Sequence, residues 1–228
     1  MFFDAGNTLL RMDYAAIAAE LARHGVRVPP EAVQRAEWQA RVRLDDELFA
    51  RIAGVSTETA DAGNRYTRFV LEALGVADGK TIQEVIAWRS AYNPPVGVFT
   101  SRDPQALESL ALVRQAGARA AAISNSNGSV ASVLALVGVA SHLDFVIDSG
   151  NVGVEKPDPR IFALALERAG VAPADATYIG DLYSIDVRGA ASAGLRAVLL
   201  DPGGFWGRRD CASAPDLLAA VRLALSWR

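Results

Sequence analysis

The chain has 228 residues, of which 51% are hydrophobic and 21% charged, and its formal net charge is −3. A chain of this length and composition can bury a sizeable core, either in one large domain or in a core with a second, smaller domain. A net negative charge argues against a nucleic-acid partner, because nucleic-acid-binding domains usually present a basic face. No apolar run approaches the ~20 residues that a membrane-spanning helix needs, so no membrane partner is expected.

Single residues set further limits. Cys211 is the only cysteine, which excludes a disulfide framework and a paired thiol metal site. Lys80 and Lys156 are the only lysines. No signal-peptide pattern precedes Asp4, so a cytoplasmic location is expected. The apolar run before Asp4 is shorter than the usual strand of about five residues, which fits a natural chain that begins slightly upstream of Met1.

The segment from Tyr14 to Tyr92 has the pattern of helices, with no convincing strand. Its apolar residues recur at helical spacing, and glycine or proline residues mark the helix ends. Four helices are predicted: one from Asp13 to Gly25, one from Pro29 or Pro30 to about Gly54, one ending at Gly75, and one through KTIQEVIAWRSAY. The sequence NPPVG then breaks the pattern.

After Pro95 the pattern changes to helices that alternate with short apolar or β-branched strands. This alternation is typical of βαβ units and a parallel sheet. The predicted strands are MFF at the N-terminus, ARAAAIS, LDFVID, ATYIGD and LRAVLLD, and APDLLAAVRLALSW is the last predicted helix. We therefore predict a doubly wound, Rossmann-like α/β core over residues 1–12 and 93–228, interrupted by a helical-bundle cap domain over residues 13–92.

Side chains that can carry chemistry fall at the ends of four of these strands or in the loops that follow them. They are Asp4, Ser124 with Asn125, Lys156, and Asp181 with Asp186. Each has an ordinary structural explanation, such as a turn former, a helix cap or a solvated lysine. Ligand sites in open α/β sheets form at the carboxyl ends of the strands, however, and all of these side chains fall at that edge. The joint pattern therefore predicts one site.

The chemistry of this set is coherent for phosphoryl transfer. An aspartate such as Asp4 is ionised near neutral pH and can act as a nucleophile. A phosphate dianion repels it, so the site must gather positive charge, which Lys156 and a Mg2+ ion held by hard oxygen ligands would supply. The Ser124 hydroxyl and backbone N–H groups of residues 5–7 or of Asn125 are candidates to hydrogen-bond the phosphoryl oxygens.

Four segments in this order, FFDAGNTLL, AAISNSNG, GVEKPDPRIF and YIGDLYSIDVRGAASAGL, resemble the four motifs of the haloacid dehalogenase (HAD) superfamily of hydrolases. The similarity covers the whole core, and the helical module lies where that superfamily has its α-helical cap. The resemblance implies a role for each residue. Asp4 would be the nucleophile and a Mg2+ ligand, the Gly6 carbonyl and Asp181 further Mg2+ ligands, Ser124, Asn125 and Lys156 the phosphoryl-binding groups, and Asp186 a group that acts through water or orients Lys156.

Gly6 departs from the pattern of the superfamily's phosphatases. Those enzymes carry a second aspartate at this position, which protonates the leaving group and then activates water. A glycine keeps the backbone carbonyl for the metal but removes the general acid. Acid–base groups typically contribute about 10²–10⁴-fold to rate, so the loss matters.

Three hypotheses remain open on this evidence. The first is a Mg2+-dependent phosphohydrolase that acts on a small phosphorylated metabolite through an aspartyl-phosphate and favours good leaving groups. The second is a metal-independent 2-haloacid dehalogenase-type hydrolase, although the retained Asp181 argues for a metal site. The third is a catalytically degenerate binding or regulatory protein, which the loss of the acid at Gly6 favours. The substrate, and whether the protein is a monomer or a homodimer, stay open.

Overall fold

The computed structural model describes residues 1–52 and 54–227, and this part of the chain forms two compact units. The chain passes from the first unit to the second between Arg11 and Met12, and it returns between Thr100 and Ser101. The boundaries expected from sequence lay after residues 12 and 92. Residues 93–100 group with the helical unit, where the Asp13 N–H donates to the Val98 carbonyl over 2.7 Å.

The strands all belong to the first unit. They are β1 (Phe2–Phe3), β2 (Leu10–Arg11), β3 (Ser101–Arg102), β4 (Ala121–Ser124), β5 (Phe145–Asp148), β6 (Thr177–Gly180), β7 (Arg196–Leu200) and β8 (Ala212–Ala214). Six of them form one sheet in the order β5-β4-β1-β6-β7-β8, and every neighbouring pair is parallel. The strands β2 and β3 form a separate antiparallel pair. The first strand in the chain therefore lies at the centre of the sheet.

Over residues 12–52 and 54–100, the second unit contains four α-helices, the number expected from the sequence. They are α1 (Tyr14–Arg23), α2 (Pro30–Leu44), α3 (Ala60–Ala73) and α4 (Gly79–Ala91), with a wider turn at Asp45–Phe49 after α2. Side chains cap three of the helices: Asp13 accepts from the Ala16 N–H, Thr59 from the Ala62 N–H and Asp78 from the Thr81 N–H. Such caps satisfy backbone donors that have no partner inside the helix.

The sheet is accompanied by the remaining helices. These are α5 (Ala106–Gln115), α6 (Val130–Leu136), α7 (Ser149–Val152), α8 (Pro159–Ala169), α9 (Arg188–Ser192) and α10 (Leu217–Leu225). Residues of α8 pack into the core: Ile161 and Phe162 are fully buried, and the Phe162 ring meets Tyr178 of β6 edge-on with centroids 5.3 Å apart. The predicted doubly wound α/β fold is confirmed.

The structure adds elements that the sequence pattern did not predict. The strands β2 and β3 have two residues each and β8 has three, which is too short for a period-two pattern to be detected. The sequence pattern predicts one helix through SIDVRGAASAG, whereas the structure divides this segment into a wide turn at Tyr183–Val187 and the short α9. In the described part of the chain, no helix is long and apolar enough to cross a membrane.

Substitutions of two leucines in α6 test which side of this helix belongs to the core. Leu134 is fully buried, whereas Leu136 is 80% exposed. Replacing Leu134 with alanine should lower the free energy of unfolding by about 2–5 kcal/mol, because the change removes buried methyl groups and leaves a cavity. Replacing Leu136 should change it by no more than about 0.5 kcal/mol. Equilibrium unfolding in urea measures both, and equal losses would contradict this assignment of the core.

Candidate active site

The site begins at the centre of the sheet. Asp4 follows β1 directly, Ser124 is the last residue of β4, and Asp181 follows β6. The Asp4 N–H donates to the Ile179 carbonyl of β6 over 2.8 Å, so the pairing of β1 with β6 continues to Asp4. Since β1, β4 and β6 are parallel neighbours, their carboxyl ends lie at one edge. The strand order also reverses about β1, and such switch points are where α/β sheets form ligand sites.

Lys156 is the centre of the hydrogen-bond network at this edge. Its Nζ lies 2.6 Å from Asp4 Oδ1, 2.7 Å from Asp186 Oδ1 and 2.8 Å from the Tyr178 hydroxyl oxygen. The lysine side chain is only 2% exposed. A lysine ammonium has three N–H donors, so three acceptors account for all of them. Three of the predicted site residues, Asp4, Lys156 and Asp186, are therefore in direct contact.

Asp186 is bound on both of its carboxylate oxygens. Its Oδ1 accepts from Lys156, and its Oδ2 accepts the backbone N–H groups of Asp181 and Leu182 over 3.0 and 2.9 Å. Gly180 makes this approach possible, because a Cβ at that position would lie 2.5 Å from the Asp186 carboxyl carbon. The carboxylate therefore fixes both the ammonium of Lys156 and the turn that carries Asp181.

Burial and charge shift the pKa values of this cluster. Burial raises the pKa of the Asp4 carboxyl to about 6; the ammonium of Lys156 opposes the shift, and the carboxylate of Asp186 adds to it. Burial alone would lower the pKa of Lys156, but the carboxylates of Asp186 and Asp4 outweigh it and hold the pKa above its ordinary value. Lys156 is thus a buried cation whose charge depends on its two acidic neighbours.

The carboxylates of Asp4, Asp181 and Asp186 form a group suited to a divalent cation. One oxygen from each lies within 4.8 Å of the others, and all three residues are buried. The ammonium of Lys156 forms ion pairs with two members of this group, Asp4 and Asp186, so three buried carboxylates share this cation. Hard oxygen ligands and excess negative charge are what Mg2+ requires. The residues present therefore fit such an ion.

The three carboxylates of this group take part in different hydrogen bonds. Both oxygens of Asp186 already accept hydrogen bonds from Lys156 or from backbone N–H groups. Asp181 Oδ2 accepts one from the side-chain amide of Asn7 over 3.3 Å. Gly6, whose carbonyl was the third expected ligand, is half-buried in the turn just after Asp4.

The side chain of Asn125 contacts the backbone of Lys156. Its side-chain oxygen accepts from the Lys156 backbone N–H over 2.7 Å, and its side-chain nitrogen donates to the Lys156 carbonyl over 2.9 Å. The amide thus holds the lysine backbone at two points. The Ser124 hydroxyl, which is buried, donates to the Asn125 carbonyl over 3.2 Å.

Sequence reasoning missed two residues of this network. Tyr178 lies in the apolar strand ATYIGD, where its spacing is that of an ordinary core residue. Only the structure shows that its hydroxyl accepts a hydrogen bond from Lys156 Nζ. Asn7 adopts a positive φ of 52°, a conformation that asparagine tolerates better than most residues, and it reaches Asp181. The turn sequence Gly6-Asn7 signalled the turn but not this contact.

Comparisons with known proteins identify relatives of the chain. The chain is 42% identical over 115 residues to phosphoserine phosphatase of Thermus thermophilus, a match that covers 50% of this chain and 45% of that protein. It is 27% identical over 208 residues to glyceraldehyde 3-phosphate phosphatase of Methanopyrus kandleri, covering 90% and 84%. The match thus spans less than half of the first relative's length.

Solved structures show the same fold. A 2-haloacid dehalogenase from Pseudomonas syringae pv. Tomato DC3000 superimposes with a TM-score of 0.55 at 26% identity, covering 100% of this chain and 98% of that one. Residues 1–194 match the family model described as haloacid dehalogenase-like hydrolase. The chain belongs to the haloacid dehalogenase-like hydrolase family.

Proposed function

We propose that this protein is a Mg2+-dependent phosphohydrolase that acts on a small phosphorylated metabolite, with Asp4 as the nucleophile. The observation that carries the proposal is the buried cluster of three carboxylates, two of which form ion pairs with the ammonium of Lys156. Such a cluster brings together a nucleophile, two carboxylates that can bind a cation, and a fixed positive charge. Phosphoryl transfer needs all three. Two relatives that are named phosphatases support the same reading.

The reaction divides into two displacements at phosphorus. The Asp4 carboxylate attacks the phosphorus atom, the bond from phosphorus to the leaving-group oxygen breaks, and an aspartyl-phosphate forms. Water then attacks the same phosphorus, which releases phosphate and restores the carboxylate. Lys156 donates to a phosphoryl oxygen, and Ser124 with nearby backbone N–H groups is assigned to the remaining oxygens, so charge that moves onto these oxygens meets positioned donors.

Positioned groups lower the barrier only if they are held in place. Asn125 holds the backbone of Lys156, while Asp186 holds its ammonium. Asp186 also holds the turn that presents Asp181. We therefore assign Asn125 and Asp186 to positioning.

The metal is assigned to Asp4, Asp181 and the Gly6 carbonyl. When bound, Mg2+ would neutralise part of the excess negative charge and polarise the phosphoryl oxygens. The position of Gly6 leaves no side chain there to protonate the leaving group. The leaving group must then depart with little help or with a proton from the substrate itself. Aryl and acyl phosphates meet this condition better than alkyl phosphates.

The metal-independent dehalogenase is the second candidate, because the chain shares its fold with a 2-haloacid dehalogenase at 26% identity. That reaction releases a halide without a metal and gives no reason to bury an excess of carboxylates. A degenerate binding protein is disfavoured in the same way, since an unused cluster of this kind would be costly to bury.

The helical unit is assigned the role of a cap that sets specificity, because it lies in the chain between the first two motifs.

Thermal unfolding tests the metal assignment without measuring activity. Mg2+ at about 100 times its dissociation constant should stabilise the folded protein by about 2.7 kcal/mol, which raises the unfolding midpoint by roughly 5–10 °C for a chain of this size. Asp181→Asn should remove most of this rise. Asp175→Asn, which changes an exposed aspartate, should keep it. An equal rise in both variants would contradict the site.

Phosphate release tests the reaction itself, across aryl, acyl and alkyl phosphates with and without Mg2+. Turnover should require both Mg2+ and Asp4, and Asp4→Asn should abolish it. Turnover of aryl and acyl phosphates should exceed that of alkyl phosphates by about 10²–10⁴-fold, the usual contribution of a general acid. Gly6→Asp should raise alkyl-phosphate turnover selectively.

Three results would count against this account. Equal turnover of aryl and alkyl phosphates would contradict the role given to Gly6. Halide release from 2-haloacids that is insensitive to chelators would identify the second candidate instead. Silence across the whole panel would favour a binding or regulatory protein.

A further inference from the structure

The three N–H donors of Lys156 are all used by neighbouring side chains. Its ammonium has three N–H groups, and Asp4, Asp186 and Tyr178 supply three acceptors at 2.6, 2.7 and 2.8 Å. A phosphoryl oxygen can therefore gain a full hydrogen bond from Lys156 only if one of these acceptors gives up its own. The identity of that acceptor is a property of this chain that the proposed function leaves open.

Charge decides which acceptor is released at the lowest cost. Asp4 and Asp186 are carboxylates, so their hydrogen bonds with Lys156 join opposite charges, whereas the bond to Tyr178 joins the ammonium to a neutral oxygen. Removing the lysine from either would also leave a buried carboxylate without its counter-charge, which is strongly unfavourable. The Tyr178 hydroxyl is the neutral member of the three.

The surroundings of Tyr178 allow the release. Its hydroxyl lies 3.1 Å from the Ile123 carbonyl and 3.1 Å from Asp186 Oδ1, so its own proton keeps an acceptor whatever Lys156 does. The residue is fully buried, and its ring is packed edge-on against Phe162. If the hydrogen bond from Lys156 is lost, the Tyr178 oxygen accepts one bond fewer while its O–H still donates to a neighbour. A missing bond to an acceptor oxygen costs less than a buried N–H without an acceptor.

We propose that Tyr178 is a positioning residue for Lys156, whose hydroxyl holds the third ammonium proton until a phosphoryl group binds and then releases it to a phosphoryl oxygen. The exchange requires a small displacement of Nζ away from the Tyr178 hydroxyl, so that the N–H this hydroxyl accepted meets a phosphoryl oxygen while the other two N–H groups stay with Asp4 and Asp186. Tyr178 also joins β6 to the Ile123 carbonyl of β4, one residue before Ser124, so it sets the ammonium relative to the two strands that flank β1. This inference rests on the proposed function of Lys156 in binding a phosphoryl group.

A variant without the hydroxyl tests the proposal by the direction in which its phosphate affinity changes. In Tyr178→Phe the third N–H of Lys156 has no acceptor to release, so inorganic phosphate in the presence of Mg2+ should bind more tightly, by about five-fold if one net hydrogen bond no longer has to be broken. KM should fall with it, while kcat should not rise. A merely structural role would weaken phosphate binding instead. Tyr183→Phe, which removes a hydroxyl that donates to Asp210 outside this network, is the control and should leave phosphate affinity unchanged.

A second measurement uses the unaltered protein and does not depend on the variant folding. The chain has two lysines and five tyrosines, and Lys80 is 81% exposed, so labelled Nζ of lysine and Cζ of tyrosine give few and separable NMR signals. Addition of inorganic phosphate with Mg2+ should move the Lys156 Nζ signal and the Tyr178 Cζ signal together.

The two proposals fail in different ways. If the Lys156 signal moves while the Tyr178 signal stays, phosphate binds without the exchange, and the role of Tyr178 is overturned while the proposed function stands. If the Lys156 signal does not move, Lys156 does not bind a phosphoryl group, and both are contradicted. Unchanged or weaker phosphate binding by a folded Tyr178→Phe variant would also overturn the exchange.

Discussion

The buried ammonium of Lys156 is the interaction on which the site depends. It contacts Asp4 and Asp186 at once and is almost fully buried. Carboxylates buried this closely repel one another, and each loses its hydration, so the cluster is stable only because a cation lies among them. Removing the lysine would leave an uncompensated charge inside the protein. The same arrangement places the carboxylate of Asp4, the proposed nucleophile, beside a fixed positive charge.

The fold brings these residues together from distant parts of the chain. Asp4 follows the central strand β1, while Asp181 and Asp186 follow β6 beside it and Asn125 follows β4 on the other side. Parallel pairing places these strand ends at one edge. Local contacts then complete the site, because Asn125 fixes the backbone of Lys156 and Gly180 leaves space for the Asp186 carboxyl group. The order of the strands thus brings the site residues to one edge of the sheet, and local hydrogen bonds fix the positions of their side chains.

The sequence predicts the parallel α/β core and the residues at its strand ends, because alternating helices and apolar strands have a clear period and motif residues fall at their ends. It does not predict the role of Tyr178, since a buried strand residue has the same pattern whether or not its hydroxyl is used. The side-chain contacts of Asn125 were equally hidden, because they depend on a loop that lies about thirty residues away and is brought near only by folding. Strands of two or three residues, such as β8, carry too little pattern to be detected.

The central claim is that Asp4 becomes covalently phosphorylated. It is tested most directly by mixing the Mg2+-loaded protein with an aryl phosphate, quenching with acid during turnover and reducing the protein with borohydride, which converts an aspartyl-phosphate to homoserine. Peptide mass spectrometry should then find homoserine at position 4 in the quenched sample and aspartate in a sample without substrate. Phosphate release with unmodified Asp4, or with homoserine at another position, would contradict the account.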